Sequence, residues 1–194
     1  MILVRHGESE YSARGVMNGD TRVPVALTER GREEARRLGE ALEGEPIELC
    51  VTSEFQRTRE TADLALAGRD VRRLVLPELN DPLYGPFEGA ALEEYRAWAS
   101  GRPSSAVPEP GGESRLALVV RYACGLRLLL ERPEEGILVV CHSLPVAYVL
   151  MAREGRAPTA RVPLAGHATP YPFTREELDA AATLLEGWVA NPTW

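Results

Sequence analysis

The chain has 194 residues, 44% of them hydrophobic and 26% charged, and a net charge of −7. That length suits one domain with a core large enough to need no disulfide or metal staple, and the acidic balance argues against a nucleic-acid binder. All 22 basic residues are arginine, which excludes Schiff-base chemistry, a pyridoxal anchor and a P-loop lysine.

Ile2 to Val4 is a short apolar run, the pattern of a buried strand. A polar, Gly-containing stretch follows to Pro24. Thr28 opens a helix in which Ala35, Leu38, Ala41 and Leu42 recur at three- and four-residue spacing, until Gly44 and Pro46 stop it. Ile47 to Thr52 reads as the next strand. Ser53 and Gln56 have capping-box spacing, which predicts a helix to about Ala67. Arg73 to Leu76 is a third strand, Leu79 to Gly89 a loop, and Leu92 to Trp98 a short helix. Gly101 to Gly112 is rich in Pro and Gly and reads as an excursion. A long helix is expected from Glu113 to Glu131, before Pro133. Gly136 to Cys141 is wholly apolar and should be a central strand. A helix follows His142, with Pro145 in its first turn. Thr174 and Glu177 form a capping box, with Phe173 and Leu178 as a hydrophobic staple, for a last helix to about Ala190.

Short apolar strands alternating with helices predict a three-layer α/β/α sandwich around a mostly parallel sheet. The chain reads as a single domain, 1–194, with a small cap-like excursion at about 82–112. No targeting segment opens the sequence and no apolar run is long enough for a membrane span, so a cytoplasmic protein without membrane contact is expected. Cys50, Cys124 and Cys141 sit in apolar surroundings and read as reduced core thiols. The three histidines show no metal-ligand spacing, so neither metal nor cofactor is expected.

In parallel sheets the active site lies beyond the carboxyl ends of the strands. Arg5, His6 and Gly7 follow the first strand, Ser53 and Arg57 the second, Glu78 and Asp81 the third, and His142 the fourth. Two arginines and two histidines on one edge make a cationic pocket suited to a phosphoryl group, because guanidinium forks match phosphate oxygens. A neutral imidazole among arginines is a nucleophile, and a carboxyl group with a raised pKa can protonate a leaving oxygen.

Arg5-His6-Gly7-Glu8-Ser9 resembles the signature of the histidine phosphatase superfamily, which includes phosphoglycerate mutases and small-molecule phosphatases. The likeness continues through Leu27-Thr28 to Gly31, Ser53 with Arg57, Thr61 and Ala62, Leu79-Asn80-Asp81 with Tyr84-Gly85 and Glu88-Gly89, Pro110-Gly111-Gly112-Glu113-Ser114, and Cys141-His142. The resemblance implies the phosphoglycerate mutase-like fold. It also implies that His6 accepts the phosphoryl group, that Arg5, Arg57 and His142 grip its oxygens, and that Asp81 donates the proton. Glu8 orders the loop, and Glu78 and Glu88 are the rival donors. The sequence departs from the family at Ser12, at Asn18-Gly19 and at Ser143, which are assigned to substrate contacts. His167 is read as a loop histidine.

The function implied is a metal-independent phosphatase that hydrolyses a small phosphomonoester through a phosphohistidine. Two alternatives stay open: a phosphomutase of the phosphoglycerate mutase type, and a non-catalytic phospho-ligand binder on the same fold. Mutases of the family carry a lysine in an insertion after the acid loop, and this chain has a short loop and no lysine.

Overall fold

The computed structural model describes all 194 residues. Five strands form one sheet: β1 (Ile2–Arg5), β2 (Leu49–Thr52), β3 (Arg72–Val75), β4 (Ile137–Cys141) and β5 (Pro170–Pro172). Their order is β3-β2-β4-β1-β5. The first four pair in parallel, and β5 adds to β1 in antiparallel sense at the edge. The helices are α1 (Glu10–Ala13), α2 (Glu29–Ala41), α3 (Gln56–Ala65), α4 (Leu92–Ala99), α5 (Arg115–Leu130), α6 (Ser143–Arg153) and α7 (Arg175–Ala190).

The central strands β2 and β4 are apolar on both sides because the sheet is covered on both sides there, while the edge strand β3 is largely exposed. Side chains alternate between two cores along each strand. Leu3, Leu49, Val51, Val139 and Cys141 enter the core shared with α5, α6 and α7. Val4, Cys50, Leu138 and Val140 enter the core under α2 and α3. Every residue of β2 and of β4 is buried. This is the three-layer sandwich expected, with Gly136–Cys141 at its centre.

The caps explain where most helices begin. Thr28 Oγ1 accepts from Gly31 N–H at 3.0 Å. Ser114 Oγ accepts from Ala117 N–H at 3.1 Å. Thr174 and Glu177 close the reciprocal box that their spacing predicts. The expectation at Ser53 is corrected: α3 is capped by Phe55 with no side-chain bond, because the Ser53 hydroxyl is used by His142, at 2.8 Å. Two elements are additions. Helix α1 buries no residue, and β5 is three residues with two prolines, so neither carries a periodic signal. Cys124 is exposed on α5, which corrects its reading as a core thiol; Cys50 and Cys141 are buried as expected. The segment 82–112 carries a 3-10 turn at Gly85–Phe87 and then α4. Tyr84, Phe87, Tyr95 and Trp98 pack there edge to face and stacked, with centroids 5.2 to 5.8 Å apart.

One contact ties the first loop to α2. A Cβ on Gly7 would strike the Gly31 carbonyl, and a Cβ on Gly31 would strike the Glu8 carbonyl. Both glycines are fixed by this close backbone approach. Gly31→Ala should cost about 1–3 kcal/mol by forcing the two backbones apart. Urea denaturation reads this as a lowered midpoint, and an unchanged midpoint would show that the start of α2 can yield.

Candidate active site

Strands β2, β4 and β1 are neighbours, so their carboxyl ends bring Ser53 with Arg57, His142, and Arg5 with His6 to one place. They open onto a cavity of about 480 Å³. Its wall includes Arg5, His6, Arg57, Asp81, Asn18 and Ser143.

His6 is 4% exposed. Its Nδ1 lies 2.7 Å from the Gly7 carbonyl, an acceptor only, so Nδ1 carries the proton. Nε2 is left with a lone pair, which accepts from Arg57 Nε at 3.2 Å. Gly7 N–H donates to Thr61 Oγ1 at 3.0 Å and holds the loop in place. Burial, then Arg57, His142 and Arg5, push the His6 pKa well below its usual value. The ring is therefore neutral and its lone pair faces a cationic pocket.

Arg57 is 4% exposed and lies across the Phe55 ring at 4.1 Å. Nη1 donates to Asn18 Oδ1 at 2.6 Å. Nη2 donates to the Asn18 carbonyl at 3.1 Å and to Asp81 Oδ2 at 2.7 Å. Asp81 Oδ2 also accepts from His142 Nδ1 at 2.9 Å. Burial favours the neutral acid at Asp81, but His142 and Arg57 outweigh it and hold the carboxyl below the usual range. His142 is fully buried and lies behind the wall. Burial lowers its pKa to about 4 against the opposing pull of Asp81. Its Nε2 then accepts from Ser53 Oγ at 2.8 Å. Arg5 donates from Nη1 to the Ala165 carbonyl at 2.8 Å, while its buried Nε has no partner in the protein.

The remaining expected residues divide. Asn18 and Ser143 line the cavity, but Ser143 Oγ also accepts from Ala165 N–H at 2.9 Å. Ser12 lines it too, with its hydroxyl in a reciprocal cap with Ser9. Gly19 lies off the wall; its N–H donates to Glu88 Oε2 at 2.8 Å. Glu88 Oε1 accepts from Tyr84 N–H at 2.9 Å, so Glu88 ties two loop backbones together. Glu78 does not reach the wall, and Asp81 is the one acidic residue on it. Glu8 accepts from Thr28 Oγ1 at 2.8 Å, which docks the loop on α2. His167, expected in a loop, packs against His6 with centroids 5.9 Å apart. Burial and Arg5 lower its pKa to about 4. No periodicity marks His167, because an irregular segment carries it.

His6, Asp81 and His142 bring donor atoms within 4.8 Å of one another, a spacing that a metal ion could use. The Arg57 guanidinium bonds to both His6 and Asp81, so a divalent cation there would meet a fixed positive charge at contact distance. The pocket is built for an anion. The Arg57 fork, the His6 Nε2 lone pair that it meets and the unpartnered Arg5 Nε share one cavity, a donor set that suits an anion.

The model of the histidine phosphatase superfamily (branch 1) matches residues 1–169. The chain is 38% identical over 117 residues to an adenosylcobalamin/alpha-ribazole phosphatase of Salmonella typhimurium, a stretch covering 56% of this chain and 56% of that protein. It thus spans little more than half the length of that relative. It is 33% identical over 171 residues to a 2,3-bisphosphoglycerate-dependent phosphoglycerate mutase of Methylobacterium, covering 80% of each. Among solved structures, YhfR of Bacillus stearothermophilus superposes with a TM-score of 0.74 at 25% identity, covering 87% of each chain.

Buried neutral histidines make the fold sensitive to acid. His142 and His167 titrate near 4 in the folded chain, against about 6.5 when unfolded. The stability they contribute is complete above pH 6.5 and is lost as pH falls toward 4, because only the unfolded chain takes up protons there. The unfolding free energy from urea denaturation should fall between pH 7 and pH 5 by on the order of 2 kcal/mol, less than both shifts in full because solvent screens the partly exposed His167, and before most carboxylates titrate. A flat profile would mean that these rings take up protons in the fold as readily as in the unfolded chain.

Proposed function

The chain belongs to the histidine phosphatase superfamily, and on that premise we propose that it hydrolyses a small phosphomonoester through a phosphohistidine at His6, without a metal. The observation that carries this reading is the neutral His6 ring, its Nε2 lone pair directed at Arg57 and its Nδ1 proton donated to the Gly7 carbonyl.

The chemistry follows from exchanging partners. The phosphoryl oxygens take the donors of Arg5, Arg57 and His142. The last two are the groups that otherwise hold Asp81 ionised. Deprived of them and set beside a phosphate dianion, Asp81 rises in pKa and binds a proton. His6 Nε2 attacks phosphorus, the ester P–O bond breaks, and the leaving oxygen takes the Asp81 proton. Water then attacks phosphorus, gives its proton to Asp81, and the P–N bond breaks to restore His6. The proton on His6 Nδ1 stays there throughout, donated to the Gly7 carbonyl. Arg5, Arg57 and His142 carry the charge on the transferring oxygens. Ser12, Asn18 and Ser143 are assigned to substrate contact, and Gly19 supports the loop that presents Asn18. Residues 82–112 act as a cap over the mouth within one domain.

Phosphatase is preferred to mutase because no lysine stands in the short loop after Asp81. The substrate is a small molecule. No helix is long and apolar enough to cross a membrane. The net charge of −7 fits a protein that does not bind nucleic acid, and the buried free thiols of Cys50 and Cys141 fit the cytoplasm.

Hydrolysis of an aryl phosphate should survive chelator and fall at least about 10³-fold in His6→Ala. Asp81→Asn should slow an alkyl phosphate by about 10²–10⁴-fold and an aryl phosphate far less, since a good leaving group needs little protonation. Equal losses on both esters would remove Asp81 from the leaving-group step.

A further inference from the structure

Five arginines line the cavity: Arg5, Arg57, Arg96, Arg115 and Arg161. Four are accounted for. Arg5 and Arg57 belong to the phosphoryl end. Arg96 pairs with Glu93 at 2.6 Å, and Arg161 is exposed to water. Arg115 has no such role. It is half-buried and has no carboxylate within ion-pair distance, and its side-chain partners are neutral phenols: Nη1 donates to Tyr148 Oη at 3.1 Å, with the Tyr95 hydroxyl beside it.

Its position adds to the imbalance. Arg115 is the first residue of α5, a helix of 16 residues with no acidic side chain in its first turn. The amino end of a helix carries partial positive charge, so a cation there is disfavoured. A guanidinium that is partly desolvated, uncompensated and set at that end is stabilised by any anion that enters beside it. The helix amides do not compete for that anion. Leu116 N–H donates to the Ser104 carbonyl at 2.9 Å, and Ala117 N–H to Ser114 Oγ at 3.1 Å. Tyr148 is 1% exposed and anchors the guanidinium from the core, so the fork is pre-organised. The same wall carries Tyr84, Tyr95, Leu92 and Leu144, and Tyr84 lies close enough to both Asp81 and Arg115 for each charge to act on its hydroxyl.

We propose that Arg115 is a second anion subsite, and that the substrate is a phosphomonoester bearing a further carboxylate or phosphate beyond an apolar body. The inference rests on the phosphomonoester reading above, but its test does not require turnover. Calorimetric titration with a homologous series of ω-carboxyalkylphosphonates, from short chains to long, is compared with the parent alkylphosphonates. A parallel arm carries a terminal phosphonate in place of the carboxylate, which separates the two anions. The best-matched chain should bind the wild-type protein about tenfold more tightly than its parent. Arg115→Met and Arg115→Gln, each checked for folding by thermal melting, should lose that preference, and Arg161→Met should keep it. The proposal is overturned if no chain length is preferred, if the preference survives both Arg115 variants, or if none of the phosphonates binds. Phosphonate binding with no hydrolysis of phosphate esters would instead sink the phosphatase reading and leave the subsite standing.

Discussion

The site turns on the Arg57 guanidinium. One buried fork meets His6, Asn18, Asp81 and the face of Phe55, so a single cation sets the state of the nucleophile and of the acid. Burial and its proximity keep the His6 ring neutral, and together with His142 it keeps Asp81 ionised. Both effects follow from fixed positive charge in a place with little water. The arrangement is poised rather than satisfied, because Asp81 is a stand-in for the anion that the pocket is shaped to hold. In the reaction proposed above, a phosphoryl group takes the same donors, and Asp81, losing its partners, becomes the acid. On that proposal the ion pair of the free protein and the proton donor are two states of one balance.

The sheet order makes this possible. Because β2, β4 and β1 are adjacent, residues far apart in sequence end within hydrogen-bond reach of one another. Ser53 and His142 are 89 positions apart and meet at 2.8 Å. The wholly buried strands beneath them give these side chains a rigid base. The Gly7–Gly31 approach fixes the turn that carries His6, and Thr61 on α3 holds its backbone. Rigidity matters here because phosphoryl transfer gains more from positioning and charge than from covalent assistance.

Much of this was legible in the residues themselves. Apolar runs marked β1, β2 and β4, and three-four spacing marked α2. The Thr174–Glu177 box marked α7. Polar residues just past strand ends pointed to His6, Arg57, Asp81 and His142 as neighbours. The misreadings share a cause: tertiary demand overrode a local pattern. Ser53 has the spacing of a cap, yet its hydroxyl serves His142, a partner no local rule can reveal. Cys124 looked like core because its helix is apolar, but it falls on the outer face. Strand β5 exists only because β1 offers it an edge, and its prolines conceal it. His167 lies in a loop as read, and only its packing on His6 went unseen. The ionised state of Asp81 depends on two groups distant in sequence.

The most direct measurement is to trap the covalent intermediate. The protein is mixed with a ³²P-labelled phosphodonor, quenched in alkali, and digested for mass spectrometry. The account predicts a label that is stable to alkali, lost in acid, and carried by the peptide containing His6. A label on another residue, or turnover of the donor with no labelled His6 under conditions that preserve phosphohistidine, would contradict it.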